Sequence, residues 1–198
     1  MSATSSGSDG RVRRGERNRD ALVEALLGLL EDGIAKPTAR EIAERAGVSP
    51  RTVFAHFDDV ESLYAAIAVR QRKRLAPLFE PIDSSGSDDH RVETLVAQRV
   101  ELFEQIAPVR RASLLLAPDS PELTRRLAEV TRALRAQVAE CFDPELAAAG
   151  RRRGDLLAAL DVAASWETWD GLRRVQGLTA VAARRTLHLL VSRLLTGD

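Results

Sequence analysis

Several features that often reveal a protein's setting are scarce or missing in this chain of 198 residues. The single cysteine, Cys141, excludes an intramolecular disulfide framework. No uninterrupted apolar run approaches the roughly 20 residues that a membrane-spanning helix needs. The N-terminus also lacks the apolar core of a secretory signal. These absences predict a cytoplasmic protein without a membrane segment.

An excess of charge of one sign is missing too. The 29 Lys and Arg balance the 29 Asp and Glu, so no global basic character indicates a nucleic-acid partner. Any such function must depend on where the charges lie. The densest basic segment contains Arg11, Arg13, Arg14, Arg17 and Arg19 against the single acid Glu16. It is either an ordinary solvated lead-in to a helix or an arm that touches DNA phosphates or enters the minor groove.

Signatures of catalysis and metal binding are likewise absent from the sequence. His56, His90 and His188 fall in different segments without metal-ligand spacing. There is no P-loop, no dinucleotide-binding glycine fingerprint and no nucleophile elbow. We therefore expect no metal site, no cofactor and no enzymatic activity.

What is present is a helical pattern from end to end, without sustained strand alternation or hairpin dipeptides, which predicts an all-α fold. Residues 1–10 are rich in Ser and Gly and predict a disordered tail. A first helix is expected over about Glu16 to Asp32. The polar stretch 81–89 predicts a loop.

Beyond that loop, apolar residues recur at steps of three and four from Val92 to Ile106, with Arg99 as the one polar residue on the stripe. Pro108 is expected to interrupt this helix. Ser120-Pro121 marks another helix start, and its apolar stripe ends at Cys141, which predicts a buried structural thiol. Two closing helices are expected over about 151–175 and 179–195.

The most informative segment is Thr38 to Phe57, which contains two short helix patterns joined by a tight turn. Thr38 and Glu41 have the spacing of a capping box, and Gly47 can adopt the positive φ that ends the first helix. Ser49 is predicted to cap the second helix, with Pro50 at its first position. The residues expected to face inward at helical spacing are Ile42, Ala43, Ala46, Val48, Val53 and Phe57. The pattern is that of a helix-turn-helix.

A fourth helix is expected to begin near Asp59, with Asp58 or Asp59 as its cap. Its Leu63, Tyr64 and Ile67 would complete the same small core. With this helix included, the string TAREIAERAGVSPRTVFAHFDDVESL resembles the DNA-binding domain of the TetR family of bacterial transcription regulators. With the first helix included as well, the resemblance covers about a quarter of the chain. It implies an N-terminal three-helix helix-turn-helix domain, a helical ligand-binding and dimerisation domain, and a dimer formed mainly by the last two long helices.

The resemblance also implies roles for individual residues. Arg51 and Thr52 match positions that face the major groove, whereas Phe54 and His56 match positions that contact phosphates. Two departures are Phe54, where the family commonly has Tyr, and Val60, where it often has Lys. The residues expected at the DNA are Arg17, Thr38, Arg40, Ser49, Pro50, Arg51, Thr52, Phe54 and His56.

In the second domain, Trp166 and Trp169 share a helix face and are the only tryptophans. They either pack in the core or the dimer interface or, with Arg99 and Phe103, line a ligand pocket. The residues expected at the dimer interface are Leu187, Leu190, Val191 and Leu194. The expected domains are a basic tail over 1–14, the DNA-binding domain over 15–60 and the regulatory domain over 61–198.

These observations favour a homodimeric, sequence-specific DNA-binding regulator, a repressor released by an unidentified small-molecule effector. It would bind a two-fold symmetric operator in double-stranded DNA, since one short recognition helix reads little sequence. One alternative is a DNA-binding regulator controlled by a protein partner or by nothing at all. Another, from a different class, is a helical enzyme or ligand carrier.

Overall fold

The computed structural model describes residues 6–83 and 85–196, and the side chains of residues 6–12, 60, 61 and 72 lie outside that description. In the described residues every regular element is helical, as the sequence predicts. The chain divides into two compact units. The first runs to Lys73 and also includes Ala107–Thr124, and the second combines Arg74–Ile106 with the residues from Arg125 onward.

The ten α-helices of the described residues follow in chain order, with short 3₁₀ turns after the fourth, fifth and seventh of them. They are α1 (Ser6–Glu31), α2 (Ala39–Ala46), α3 (Pro50–His56), α4 (Val60–Leu75), α5 (Asp88–Leu116), α6 (Pro121–Cys141), α7 (Asp143–Ala148), α8 (Arg153–Ala163), α9 (Trp166–Asp170) and α10 (Ala180–Thr196). A π-helical turn, Gly171–Val175, follows α9 directly.

The core of the first unit is built from the residues that the helical periodicity points inward. Ile42, Ala43, Val53 and Phe57 are buried, and Ala46 and Val48 pack against them half-buried. Leu63, Tyr64 and Ile67 of α4 join this core as expected. Val109, Ala112 and Leu123 complete it, so the unit includes the end of α5 and the start of α6. The observed boundaries therefore differ from the expected division at residues 60 and 61.

Helix α1 begins at Ser6, not near Glu16, so residues 6–14 of the expected tail are its first turns. Residues 1–5 lie outside the described part of the chain. Helix α1 starts earlier than expected because extending an existing helix costs far less free energy than nucleating one. The segment from Leu22 to Leu30 is held by its buried leucines, and arginine-rich sequence before it extends the helix readily.

Two further expectations about helix limits are wrong. Pro108 does not interrupt its helix but lies inside α5, where the buried neighbours Ala107 and Val109 hold the backbone on both sides. The expected helix over 151–175 is broken at Ser165. Its hydroxyl accepts a hydrogen bond from the Thr168 amide at 3.1 Å and so begins a new helix.

The second unit has its own apolar core, to which α5, α6, α8, α9 and α10 all contribute. Helix α8 packs against α7 and α10. Cys141 is fully buried there, and burial raises the pKa of its thiol to about 11, as expected of a structural cysteine. Within the described part of the chain, each helix is too short or too polar to span a lipid bilayer.

Candidate nucleic-acid interface

The start of α2 is fixed by a reciprocal cap. The Thr38 amide donates to Glu41 Oε2 at 2.7 Å, and the Glu41 amide donates to Thr38 Oγ1 at 3.2 Å. These bonds from the backbone and side chain of Thr38 lower the pKa of Glu41, because they favour its carboxylate. The predicted capping box is confirmed.

The turn between the two helices depends on one backbone conformation. Gly47 has φ of 67° and ends α2 in the left-handed region, where a side chain would be strained. The Val48 amide then donates to the Ala43 carbonyl at 3.0 Å, which closes the turn. Gly47 thereby sets the angle at which α3 leaves α2.

Ser49 and Pro50 precede and begin α3 as expected, but the predicted side-chain cap is wrong. The Ser49 hydroxyl makes no bond to the backbone of α3. It pairs instead with the Thr52 hydroxyl at 2.9 Å. Helix α4 is capped by Asp59, whose carboxylate accepts from the Ser62 amide at 2.7 Å.

All nine residues expected at the DNA belong to the first unit, and none of their side chains is buried. On α3, Arg51 is exposed and makes no ion pair with any described residue. Phe54 is 60% exposed, although it is the largest apolar side chain of that helix. Arg40 donates to Glu44 Oε1 at 2.8 Å, a solvent-exposed pair one turn apart that a phosphate could replace at little cost.

His56 lies against α1. A Cβ at Gly15 would be 3.7 Å from His56 Cε1, an ordinary contact distance, so the imidazole lies beside this turn of α1. The neighbouring Arg14 is exposed, as are Arg13 and Arg17. The basic segment of α1 therefore begins next to the C-terminal end of α3.

The arginines of α1 do not all face the same way. Arg17 Nε donates to the Arg13 carbonyl at 3.2 Å, which keeps both on one exposed face of the helix. The Arg19 guanidinium instead stacks over the Phe57 ring, 5.2 Å from its centroid. The side chains of Arg11 and Val60 lie outside the described residues. The basic segment is thus helical, with Arg13 and Arg17 on one exposed face and Arg19 turned toward Phe57.

Sequence reasoning missed the contact that joins α1 to α2. Arg45 pairs with Asp32, and its guanidinium lies so close to Gly28 that a Cβ there would be 2.5 Å from it. These residues are 13 or more positions apart, and no local spacing rule connects them. The pair ties the end of α1 to the last turn of α2.

Replacing Thr38 by Ala should reduce the free energy of unfolding by about 0.5–2 kcal/mol, because the first turn of α2 loses its cap. Thr38→Ser, which keeps the hydroxyl, should stay close to the wild type. Urea unfolding followed by circular dichroism measures both. The two bonds that the Thr38 amide and hydroxyl donate to Glu41 Oε2 depend on an ionised Glu41, whose pKa is lowered by folding. The contribution of these two bonds is present above the unfolded pKa and is lost as the pH falls through the folded pKa. A difference that does not shrink in acid would contradict this account of the cap.

These features define the first unit as a helix-turn-helix DNA-binding domain. Residues 22–67 match the family described as bacterial regulatory proteins, tetR family. The HTH-type transcriptional regulator UidR of Escherichia coli K12 is 34% identical over 80 residues, which cover 40% of this chain and 41% of that relative. The match to this relative thus spans less than half of its length.

Likeness of fold extends along almost the whole chain. A transcriptional regulator from Rhodococcus sp. RHA1 superposes with a TM-score of 0.63 at 22% identity, covering 92% of this chain and 96% of that one. Salmonella enterica GusR gives 0.60 at 19% identity, with 90% and 95% covered. The match to the tetR family thus covers residues 22–67, and the likeness to these solved structures shows that the rest of the chain shares their fold.

The residues expected in the second domain are partly brought together. Phe103 and Trp166 meet edge to face with ring centroids 5.8 Å apart, and Trp169 is fully buried. Both tryptophans are covered by their own chain, so neither presents a surface for a partner. Arg99 lies on α5, one turn before Phe103, and is buried as well.

The leucines of α10 are divided by the fold. Leu187 and Val191 are buried within the chain, whereas Leu190 is 40% exposed and Leu194 is half-buried. Leu189, which the apolar stripe did not include, is 56% exposed. Among the described residues, no three His, Cys, Asp or Glu side chains are grouped to hold a metal ion.

Proposed function

We propose that the protein is a cytoplasmic, homodimeric transcription regulator that binds a two-fold symmetric operator and represses until a small-molecule effector releases it. The observation that carries the DNA-binding part is the helix-turn-helix with Arg51 on the exposed face of α3, where it pairs with no acid of the described residues. Arg51 is the second residue of that helix, and residues at the N-terminal end of a recognition helix reach base edges in the major groove.

Two sets of contacts would position α3 on the duplex. Thr52 lies beside Arg51, while Phe54 packs on the sugar-phosphate backbone and His56 reaches a phosphate. Arg13, Arg14 and Arg17 add a sequence-independent charge on α1 next to His56. Thr38 and Arg40 would contact the backbone from the start of α2. In this arrangement one set of residues contacts the bases and gives specificity, while the other contacts phosphates and positions the protein.

The proposal of a dimer rests on apolar side chains of α8 and α10 that are exposed to solvent in the single chain. Leu189 and Leu190 are adjacent on α10 and both exposed, and Val162 on α8 is 65% exposed. Since α8 packs against α10, a second copy could cover all three. We therefore place Leu190 and Leu194 of the expected interface, together with Leu189, at the contact between protomers. Leu187 and Val191 hold α10 onto its own chain.

Regulation would follow from the geometry of the dimer. Two recognition helices fit successive major grooves only when they are about 34–36 Å apart. An effector that binds one spacing better than the other shifts the population toward it. We place the effector site at Arg99, Phe103, Trp166 and Trp169, the four residues that form the ligand pocket in one of the two interpretations of the sequence.

Binding of the full-length protein to the DNA upstream of its own gene tests this function. We expect a gel shift that survives excess random DNA, and a footprint of two related half-sites about one helical turn, or a multiple of it, apart. A scrambled duplex of the same composition is the control. Equal affinity for both duplexes would rule out a sequence-specific regulator of this DNA. A single asymmetric site would rule out the dimeric mode.

A further inference from the structure

Helix α5 contributes two buried arginines to the second unit, and they differ in their ion pairs with the described residues. Arg91 is 3% exposed and pairs with two carboxylates, those of Asp88 and Glu145. Arg99, two turns further along, is 1% exposed and has no carboxylate within ion-pair distance among the described residues. One buried charge is neutralised by the chain and the other is not.

Neutral groups hold the Arg99 guanidinium in place. Its Nη1 donates to Gln137 Oε1 at 2.5 Å, and its Nη2 donates to the Leu134 carbonyl at 3.0 Å. The amide nitrogen of Gln137 donates in turn to the Glu80 carbonyl at 2.6 Å and to Gln98 Oε1 at 3.0 Å, so the Gln137 oxygen is fixed toward Arg99. Arg99 Nε is buried without a hydrogen-bond partner. The guanidinium is thus oriented but retains an unused donor and its full charge.

Burial of such a charge is costly unless an anion compensates it. Burial lowers the pKa of Arg99 to about 10, so the side chain is still charged at neutral pH. Of the two groups that oppose this shift, the Asp161 carboxylate is already bound to Arg135 at 2.8 Å. The other, the Cys141 thiol, has a pKa raised to about 11 and is neutral at pH 7.

A second unused donor belongs to the tryptophan pair. Trp169 is fully buried, and its Nε1 has no acceptor. Trp169 lies in a helix of only five residues, which a π-helical turn follows at Gly171. Such turns occur frequently at functional sites, since they widen the backbone locally. The edge-to-face pair of Phe103 and Trp166 supplies apolar surface. Phe103 lies on α5 with Arg99, and Trp166 lies on α9 with Trp169.

We infer that the second unit binds a small organic carboxylate with an apolar body. Its carboxylate pairs with the Arg99 guanidinium and accepts from Nε, its apolar part lies against Phe103 and Trp166, and Trp169 Nε1 donates to an oxygen of the same molecule. Only the statement that this carboxylate acts as the effector rests on the proposed function.

The test uses the full-length protein with sodium benzoate, phenylacetate and octanoate, each compared with its neutral amide and with sodium chloride at equal ionic strength. At least one carboxylate should raise the melting temperature and change tryptophan fluorescence, because a ligand of the folded state stabilises it. The amides and chloride should not. Arg99→Gln should weaken binding of that carboxylate at least about tenfold, since a charged hydrogen bond is lost.

Two further variants separate a binding role from a structural one. Trp169→Phe keeps an aromatic ring, removes the N–H and should weaken binding, whereas Arg153→Gln alters an exposed ion pair and should not. Without any carboxylate, Arg99→Gln should melt at or above the wild-type temperature, because an uncompensated charge is removed. A melting temperature well below the wild type would show that Arg99 is structural and overturn the inference.

The remaining outcomes are also decisive. No response to any carboxylate, an equal response to the amides or to chloride, or an Arg99→Gln variant that still responds would each overturn the carboxylate site. Carboxylate binding through Arg99 by a protein that fails to recognise its upstream DNA would leave the site standing and refute the proposed regulator. Specific DNA binding without carboxylate binding would do the reverse.

Discussion

Replacing Arg51 by Ala should abolish the preference for the operator while leaving affinity for random DNA almost unchanged. The Arg51 guanidinium is exposed at the start of α3 and free of any ion pair with the described residues. A bidentate bond from such a group to guanine O6 and N7 contributes about 1–3 kcal/mol of discrimination against the wrong base. Because each half-site of a dimer would lose this bond, the effect on the operator should be among the largest of any single substitution.

Fluorescence anisotropy with operator and scrambled duplexes at several salt concentrations measures this effect. Arg51→Lys retains the charge but not the bidentate geometry, so it should lose specificity as well. Arg17→Ala is the matched control on α1. It should weaken binding to both duplexes and reduce the salt slope by about one for each phosphate that Arg17 no longer neutralises. Equal losses on both duplexes for Arg51→Ala would remove Arg51 from the reading face.

The double substitution Leu189→Glu with Leu190→Glu should convert the protein to a monomer and weaken operator binding by about 10²–10⁴-fold. Both side chains are exposed on α10, so the charges create no buried defect within the chain. In a dimer, however, they would be buried without partners, which is strongly unfavourable. Loss of the dimer removes the effective concentration that one bound half-site provides for the other.

Sedimentation velocity gives the oligomeric state, and circular dichroism shows whether the fold is retained. Val69→Glu is the control, because Val69 is 52% exposed and lies on α4 in the first unit. It should leave both association and fold unchanged. A double variant that still sediments as the wild type does would place the dimer contact elsewhere. Substitution of Leu187 or Val191 would not be informative, since both are buried in the chain itself.

The helix-turn-helix could be predicted almost completely because its determinants are local. The Thr38 cap acts over three residues, Gly47 ends α2 by its own φ, and the inward residues recur with the helical period. The cap at Ser49 was the exception. Its hydroxyl had a second partner within reach, Thr52, and the choice between a backbone and a side-chain bond depends on the rotamer.

The candidate effector site stays a prediction, and the sequence supplied only the burial and helix positions of its residues. Periodicity placed Arg99 on a buried stripe and put Trp166 and Trp169 on one helix face. It could not show that Arg99 lacks a carboxylate partner among the described residues, since Gln137 and Leu134, which bind it instead, are more than 30 positions away. Nor could it separate Leu187 from Leu190, because an apolar stripe has the same period whether its own chain or a second copy covers it.

The sequence by itself determined that the chain is helical, where most of its helices begin, and that residues 38–57 form a helix-turn-helix. Those properties depend on interactions within a turn or two of the backbone. Only the tertiary structure decided that α1 continues back to Ser6, that α4 and parts of α5 and α6 complete the first core, and that Arg99 stays without a counterion among the described residues. Each of these depends on contacts between segments that are far apart in the sequence. Burial and charge compensation are set by such contacts, so no local pattern reveals them.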